Sequence, residues 1–254
     1  MSEETKSLMK SQRVCVIIPT YNNASTVVDV VRSVLRYCED VFVVNDGCTD
    51  DTMTVLQQAD LPIKVLAYTP NKGKGTALTT GFREALRQGF RYALTLDSDG
   101  QHKAEDIPTF AAYIAQHEDA LLLGSRGLEH ENMPRKNTFA NRFSNFWFTV
   151  QTGKKLPDTQ TGYRLYPLNK MGKMRLLSSR YEAELSLLVR SAWRGIDILP
   201  IPINVYYPPK EERVSHFRPG WDFFRISVLN TFFTFAAIIY GYPAMLYHHI
   251  KKKL

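Results

Sequence analysis

The chain has 254 residues, 44% of them hydrophobic and 22% charged, which is the balance of an ordinary folded body with room for one sizeable α/β domain or two small ones. Cys15, Cys38 and Cys48 are odd in number and lack metal-ligand spacing, so they read as reduced thiols in a cytosolic setting, not as a disulfide framework or a zinc site. A formal net charge of +7 narrows the partners to nucleic acid, anionic lipid or phosphorylated substrates without choosing among them.

Residues 1–12 are polar, acidic then basic, and without an apolar secretory core, so a flexible N-terminus is expected. The continuous apolar run at 13–18 predicts a strand buried on both faces. Asn23 or Ser25 can cap the next helix, in which Val27, Val31, Val34 and Cys38 recur at helical spacing. Residues 41–44 and 63–67 predict the second and third strands, with a helix bearing Val55 and Leu56 between them. The loop 71–75 leads into a helix through Leu78, Phe82 and Ala85, and a fourth strand ends at Asp97. This alternation predicts a mostly parallel, doubly wound α/β sheet.

Beyond it, 106–116 reads as a helix opened by Asp106-Ile107-Pro108, and 120–123 as a strand. A basic, aromatic helix follows Pro134, then the loop 158–162, a short strand near 163–166 and a helix over 182–193. Pro200 and Pro202 mark the strand 198–206 as an edge. Residues 226–247 carry no charge, enough length for a membrane span. Asn230, Thr231, Thr234, Gly241 and Pro243 interrupt that stretch and basic residues flank it, which predicts helices lying in a membrane surface. A helix packed on the protein or in a dimer is the alternative.

The chemistry concentrates in Leu94-Thr95-Leu96-Asp97-Ser98-Asp99-Gly100-Gln101-His102. Two carboxylates and an amide oxygen at a strand end are hard ligands suited to Mg²⁺ or Mn²⁺, with substrate phosphates completing the shell. An acidic turn between strand and helix is the plainer reading. Asp46, at the end of the second strand, can accept from a base N–H or a ribose hydroxyl, while Pro19 and Tyr21 can wall a base. Lys72, Gly73, Lys74 and Gly75 make a basic loop of close approach before a helix N-terminus. Capping explains Asp46, and turn chemistry the glycines, equally well one by one. A common sheet edge is what joins them into a candidate site.

As an ordered set, Val16-Ile17-Ile18-Pro19-Thr20-Tyr21-Asn22, Val44-Asn45-Asp46-Gly47-Cys48-Thr49-Asp50, Asn71-Lys72-Gly73-Lys74-Gly75 and the Asp97–His102 stretch resemble the family-2 glycosyltransferases of the GT-A fold. The second half looks like the polyprenyl-phosphate (dolichol-phosphate) mannosyltransferase branch through Gly124-Ser125-Arg126, Asp158-Thr159-Gln160-Thr161-Gly162-Tyr163-Arg164 and Arg213. The chain departs from the family in carrying Asn22-Asn23 where acidic residues are frequent and Asn45 where a second aspartate is usual.

The resemblance implies a GT-A glycosyltransferase domain over 13–209, with a nucleotide-binding half (13–102) and an acceptor half (103–209), followed by a lid loop and membrane-associated helices over 210–254. It implies Mg²⁺ or Mn²⁺ on Asp97, Asp99 and Gln101, and a UDP or GDP sugar held by Pro19, Tyr21, Asn22, Asp46, Lys72, Gly73, Asp97 and Ser98. A lipid-linked acceptor would meet Arg126, Arg142, Gln160 and Arg164, with Asp158 the candidate base for a hydroxyl and Arg213 folding over the diphosphate. The implied reaction is an in-line displacement that inverts the anomeric centre. It leaves open polyprenyl phosphate against a hydroxyl-bearing glycan or lipid, and whether the chain forms an oligomer. A nucleic-acid-binding protein would explain the charge but not the acidic strand end, and no nucleic-acid motif occurs. A non-catalytic nucleotide-sugar-binding module remains the other alternative.

Overall fold

The computed structural model describes residues 2–126, 135–172, 182–206 and 219–253, without the side chains of 135–139, 219 and 221–223. The apolar run near the start forms β1 (Val14–Thr20), buried along its whole length. Val14, Val16 and Ile18 enter one hydrophobic cluster, and Cys15 and Ile17 the other. A strand apolar at every position has to be covered on both faces, because successive side chains point to opposite sides. β1 therefore lies inside the sheet, parallel to β2 (Val41–Asp46) on one side and β4 (Tyr92–Thr95) on the other.

β3 (Lys64–Tyr68) continues the sheet beyond β2. On the other side β6 (Arg164–Pro167) runs antiparallel between β4 and β5 (Leu121–Arg126), and β7 (Ile198–Ile203) pairs parallel with β5. The order β3-β2-β1-β4-β6-β5-β7 makes a mostly parallel mixed sheet, with the two prolines of β7 on an outer edge as expected.

Helices cover both faces. The first cluster takes side chains from α2 (Val27–Leu35) and α5 (Ile107–Gln116), with Leu56 of α3 (Thr52–Gln58). The second takes Ala77 and Ala85 of α4 (Lys74–Arg87), Phe148 of α6 (Arg135–Thr152), Met171 of α7 (Leu168–Met171) and Leu188 of α8 (Glu182–Trp193). The three cysteines are free thiols, and burial pushes Cys38 up to about 12, so it is inert as a nucleophile.

The N-terminus differs from expectation. Residues expected to be flexible form α1 (Ser2–Ser11), with Thr5 and Met9 buried and Met9 seated in the first cluster. Acidic residues in its first turn and Lys10 in its last complement the helix dipole, and one methionine anchors it.

At the other end α9 (Pro219–Ala236) passes through a π-type bulge at Ala237–Gly241 into α10 (Tyr242–Lys253). The bulge precedes Pro243, which cannot donate a helical hydrogen bond. One face of this helix packs on the protein. Phe233 and Ala237 are buried, Gln151 Nε2 donates to Asn230 Oδ1 at 3.1 Å, and a Cβ on Gly241 would stand 2.5 Å from the Trp193 ring. The opposite face is apolar and open, with Phe235, Ile238, Leu246 and Tyr247 exposed and Ile239 at 80%. Residues Phe224–Lys253 are long and apolar enough to cross a membrane by length and composition.

Candidate active site

In an open α/β sheet the ligand crevice lies beyond the carboxyl ends of the strands where the chain order reverses. Here that place is between β1 and β4, and Asp97 stands just past β4. Thr95 Oγ1 donates to the Gly162 carbonyl at 2.8 Å, drawing the 158–162 loop against the strand end. A Cβ on Gly162 would lie 2.7 Å from Asp97 Oδ2 and 2.8 Å from Lys74 Nζ, so a side chain here would push one of these charged groups aside.

Lys74, the first residue of α4, reaches into the same point. Its Nζ is 2.5 Å from Asp97 Oδ1 and 3.1 Å from Glu184 Oε2. Burial works against the ammonium, but the two carboxylates outweigh it and bind its proton more tightly than in an ordinary lysine. Burial likewise works to raise Asp97, and Lys74 and His102 together overcome it, leaving the carboxyl below the usual range. For Asp99 the pull of Lys74 is outweighed: burial, then the neighbouring Asp97, push it up to about 6. Burial brings His102 down to about 4, so its ring is neutral at physiological pH, with Nδ1 accepting the Asp97 N–H at 3.4 Å. The sequence placed Lys74 in a phosphate loop and missed its pairing with Glu184. The available signal was two glutamates, Glu182 and Glu184, opening a helix whose other residues are apolar or small except Arg190.

Two neighbouring carboxylates, one raised by the other, are a donor set that a divalent cation would relieve, and Gln101 follows on the same turn. Among the described residues no group of three or more His, Cys, Asp or Glu side chains converges into a metal cage. The set fits an ion such as Mg²⁺ or Mn²⁺ that keeps positions for water and substrate oxygens. Asp99 Oδ1 already accepts the Gln101 N–H at 3.0 Å, which folds the turn.

On the nucleotide side, Asp46 is buried and faces the 71–73 loop. Its carboxylate accepts the N–H groups of Lys72 and Gly73 at 2.8 and 2.9 Å and the Asn71 amide at 3.1 Å. In this geometry it builds the loop, the capping alternative from the sequence. Gly73 N-caps α4 with a φ of 93°, and Lys72 is exposed with Nζ 5.4 Å from the Tyr68 ring. Gly47 is equally constrained, since a Cβ would meet the Asn71 nitrogen at 2.5 Å. Pro19 is buried at the end of β1 and Tyr21 is half-buried. Asn22 accepts the Thr49 N–H at 2.8 Å, bridging the ends of β1 and β2. Ser98 is buried, its Oγ accepting from Asn23 Nδ2 at 3.0 Å and its carbonyl from Thr26 Oγ1 at 2.6 Å.

On the acceptor side two of the expected residues are buried in the fold. Asp158 is fully buried: Arg126 Nε donates to Oδ2 at 2.5 Å, and Arg126 Nη2, Asn141 Nδ2 and the Gln160 N–H donate to Oδ1 at 3.0, 2.6 and 3.0 Å. Burial works to raise this carboxyl, and the Arg126 bonds overcome it and hold it below the usual range. A base must reach a substrate proton and take it. Asp158 spends its oxygens on these donors and anchors the loop. Arg164 is likewise fully buried, with Nε, Nη2 and Nη1 donating to the carbonyls of Thr161, Thr159 and Glu184 at 2.7, 2.9 and 2.7 Å, so it braces the loop against α8. Arg142 and Gln160 are exposed. Arg213 lies outside the described residues.

Known proteins match this arrangement. The family model for glycosyl transferase family 2 matches residues 15–172. The chain is 27% identical over 220 residues to a UDP-N-acetylglucosamine–dolichyl-phosphate N-acetylglucosaminyltransferase of Methanococcus voltae, covering 78% of this chain and 88% of that one. It is 28% identical over 214 residues to a polyprenol monophosphomannose synthase of Mycolicibacterium smegmatis, covering 80% of each. Its fold superposes with a TM-score of 0.66 on glucosyl-3-phosphoglycerate synthase from Mycobacterium tuberculosis, solved with Mn²⁺, UDP-glucose and phosphoglyceric acid, at 16% identity and over 93% and 83% of the two chains. The matched span includes the β1 end, Asp46, the glycine loop, Asp97, Asp99 and the braced 158–162 loop, and the chain belongs to glycosyl transferase family 2.

Proposed function

We propose that the protein is a metal-dependent, inverting glycosyltransferase that moves a sugar from a nucleotide-diphosphate sugar to a lipid-linked phosphate at a membrane surface. The observation that carries the choice of acceptor is the state of Asp158. A hydroxyl acceptor needs a base, and the carboxylate expected to serve is buried under Arg126 and Asn141. A phosphate acceptor arrives as an anion and needs none. The relatives named for dolichyl-phosphate and polyprenol acceptors support the same reading.

In this mechanism the loop held by Asp46 presents Lys72 and Gly73 to the nucleotide, between the β1 end with Pro19, Tyr21 and Asn22 and the Ser98 turn. Asp97, Asp99 and Gln101 would hold a divalent ion, which supplies charge neutralisation at the diphosphate leaving group. Lys74 adds a second positive charge beside Asp97, and Gly162 lets the 158–162 loop close against both side chains. Arg142 and Gln160, both exposed beside the braced loop, are the acceptor contacts, with Arg213 as a lid cation. The open apolar face of α9 and α10 rests on the lipid surface, the exposed Lys251 and Lys253 adding attraction to anionic headgroups.

The test is a screen of UDP and GDP sugars with Mn²⁺, offering a short isoprenyl phosphate and the matching isoprenol. Transfer to the phosphate with inverted anomeric configuration is expected. Transfer to the alcohol alone, or full activity in excess chelator, would overturn the reading.

A further inference from the structure

Between α8 and α9 lies a cavity of about 290 Å³ that takes no part in the site at the sheet edge. Arg190, in the last turn of α8, and Arg194, just past its end, are both half-buried and form one wall. Trp193, Phe233 and Ala236 form an apolar floor, the Trp193 and Phe233 rings meeting edge to face at 5.4 Å. Phe232 and Tyr240 stand on the rim and belong to the exposed apolar face of the C-terminal helix. The pocket therefore opens onto the surface that the proposed function seats on a membrane.

Two like charges at i and i+4 on a helix repel one another. Burial and the proximity of Arg194 both disfavour the charge on Arg190. One Arg194 donor, Nη1, bonds the Met171 carbonyl, and a guanidinium has five. A pair of partly desolvated guanidiniums beside an apolar floor matches an anion with an apolar tail. Guanidinium forks suit phosphate oxygens in particular.

The position separates this pocket from the acceptor residues. Arg190 is about 9 Å along α8 from Glu184, and Arg142 is about 13 Å along α6 from Gln151, whose carbonyl accepts the Trp193 Nε1–H at 2.8 Å.

We propose that this pocket binds the phosphate headgroup of an anionic membrane phospholipid, with Arg190 and Arg194 on the phosphate and Trp193, Phe233 and Ala236 against the start of the acyl chains. The inference rests on the membrane-surface reading above and adds a defined lipid site to it. Generic attraction is already provided by Lys251 and Lys253, which lie at the far end of α10. The pocket would instead fix the height and orientation of the domain on the bilayer.

The experiment titrates the full chain with monomeric short-chain phosphatidylglycerol, followed by tryptophan fluorescence and thermal shift. Short-chain phosphatidylcholine, glycerol phosphate and a short isoprenyl phosphate are the parallel arms. Saturable binding of phosphatidylglycerol is expected, weakened about 5-fold per charge and about 25-fold in R190Q/R194Q. R190Q alone keeps the Arg194–Met171 bond should the double variant fold poorly. Ala236→Phe should abolish binding with both charges in place.

Equal binding by R190Q/R194Q and the unaltered chain would overturn the proposal, as would equal binding of phosphatidylcholine. Binding of glycerol phosphate alone would make this a free-anion site, and binding of isoprenyl phosphate alone an acceptor pocket; either result refutes it. The readout involves no sugar transfer. Lost transfer with phosphatidylglycerol binding intact would sink the enzymatic reading alone, and the reverse would sink this one.

Discussion

Lys74 Nζ lies 2.5 Å from Asp97 Oδ1, with Gly162 backed against both side chains. The carboxylate at the end of the central strand is thus matched by a cation from the next helix over. A charge-assisted hydrogen bond of this kind is worth about 1.5–3 kcal/mol. Lys74→Met should therefore lower stability in chelator and tighten Mn²⁺ binding about 10-fold, because the ion no longer competes with an ammonium. Mn²⁺ titration followed by electron paramagnetic resonance reads this directly. An unchanged affinity would show that Lys74 does not compete for Asp97. Asp97→Ala and Asp99→Ala should each abolish transfer while the protein stays folded.

Gly162→Ala tests the close approach itself. Its φ is ordinary, so the strain is contact alone: a methyl 2.7 Å from Asp97 Oδ2 must push the loop or the carboxylate aside. A misplacement of about 1 Å at a reacting centre costs about 100-fold in rate. We expect kcat to fall by about that factor with an unchanged thermal midpoint. Near-normal turnover would mean the loop does not frame the reaction.

Asp158→Asn separates anchor from base. Breaking a buried ion pair by removing one partner costs about 3–5 kcal/mol, and urea unfolding should show a loss near the lower figure because Asn keeps some hydrogen bonds. The folded carboxyl is held below its ordinary value, so its contribution is present above the unfolded pKa and disappears as pH falls through the folded one. The Asn variant should lose that acid-side dependence. Wild-type stability combined with abolished transfer would instead restore the role of base.

Asp46→Ala should weaken nucleotide binding without acceptor, because the loop presenting Lys72 and Gly73 loses the carboxylate that accepts their N–H groups. Arg142→Ala should leave nucleotide affinity nearly intact and reduce transfer to the lipid phosphate. Calorimetry with the nucleotide alone distinguishes them. Equal losses in the two variants would dissolve the division between donor and acceptor sides.

The order of strands and helices in the first half was legible because each signal is local. An apolar run such as Val14–Ile18 reports burial on both faces, and Asp97 at the end of one reports the crevice edge. The same locality leaves residues 2–11 hard to read, because Leu8 and Met9 are adjacent and give almost no periodic signal. Charged residues were legible as candidates but not as roles. Asp158 reads as a base and Arg164 as an acceptor contact, and only packing shows that β5, α6 and α8 bring Arg126 and Asn141 to the first and the Glu184 carbonyl to the second. Lys74 and Glu184 are distant in the chain and meet only at the sheet edge. The type of a charged side chain is written in the sequence. Whether it meets substrate, metal or another buried charge depends on partners brought from elsewhere in the chain, because an ionised group buried in the fold is stable only where tertiary packing supplies its counter-charge or hydrogen bonds.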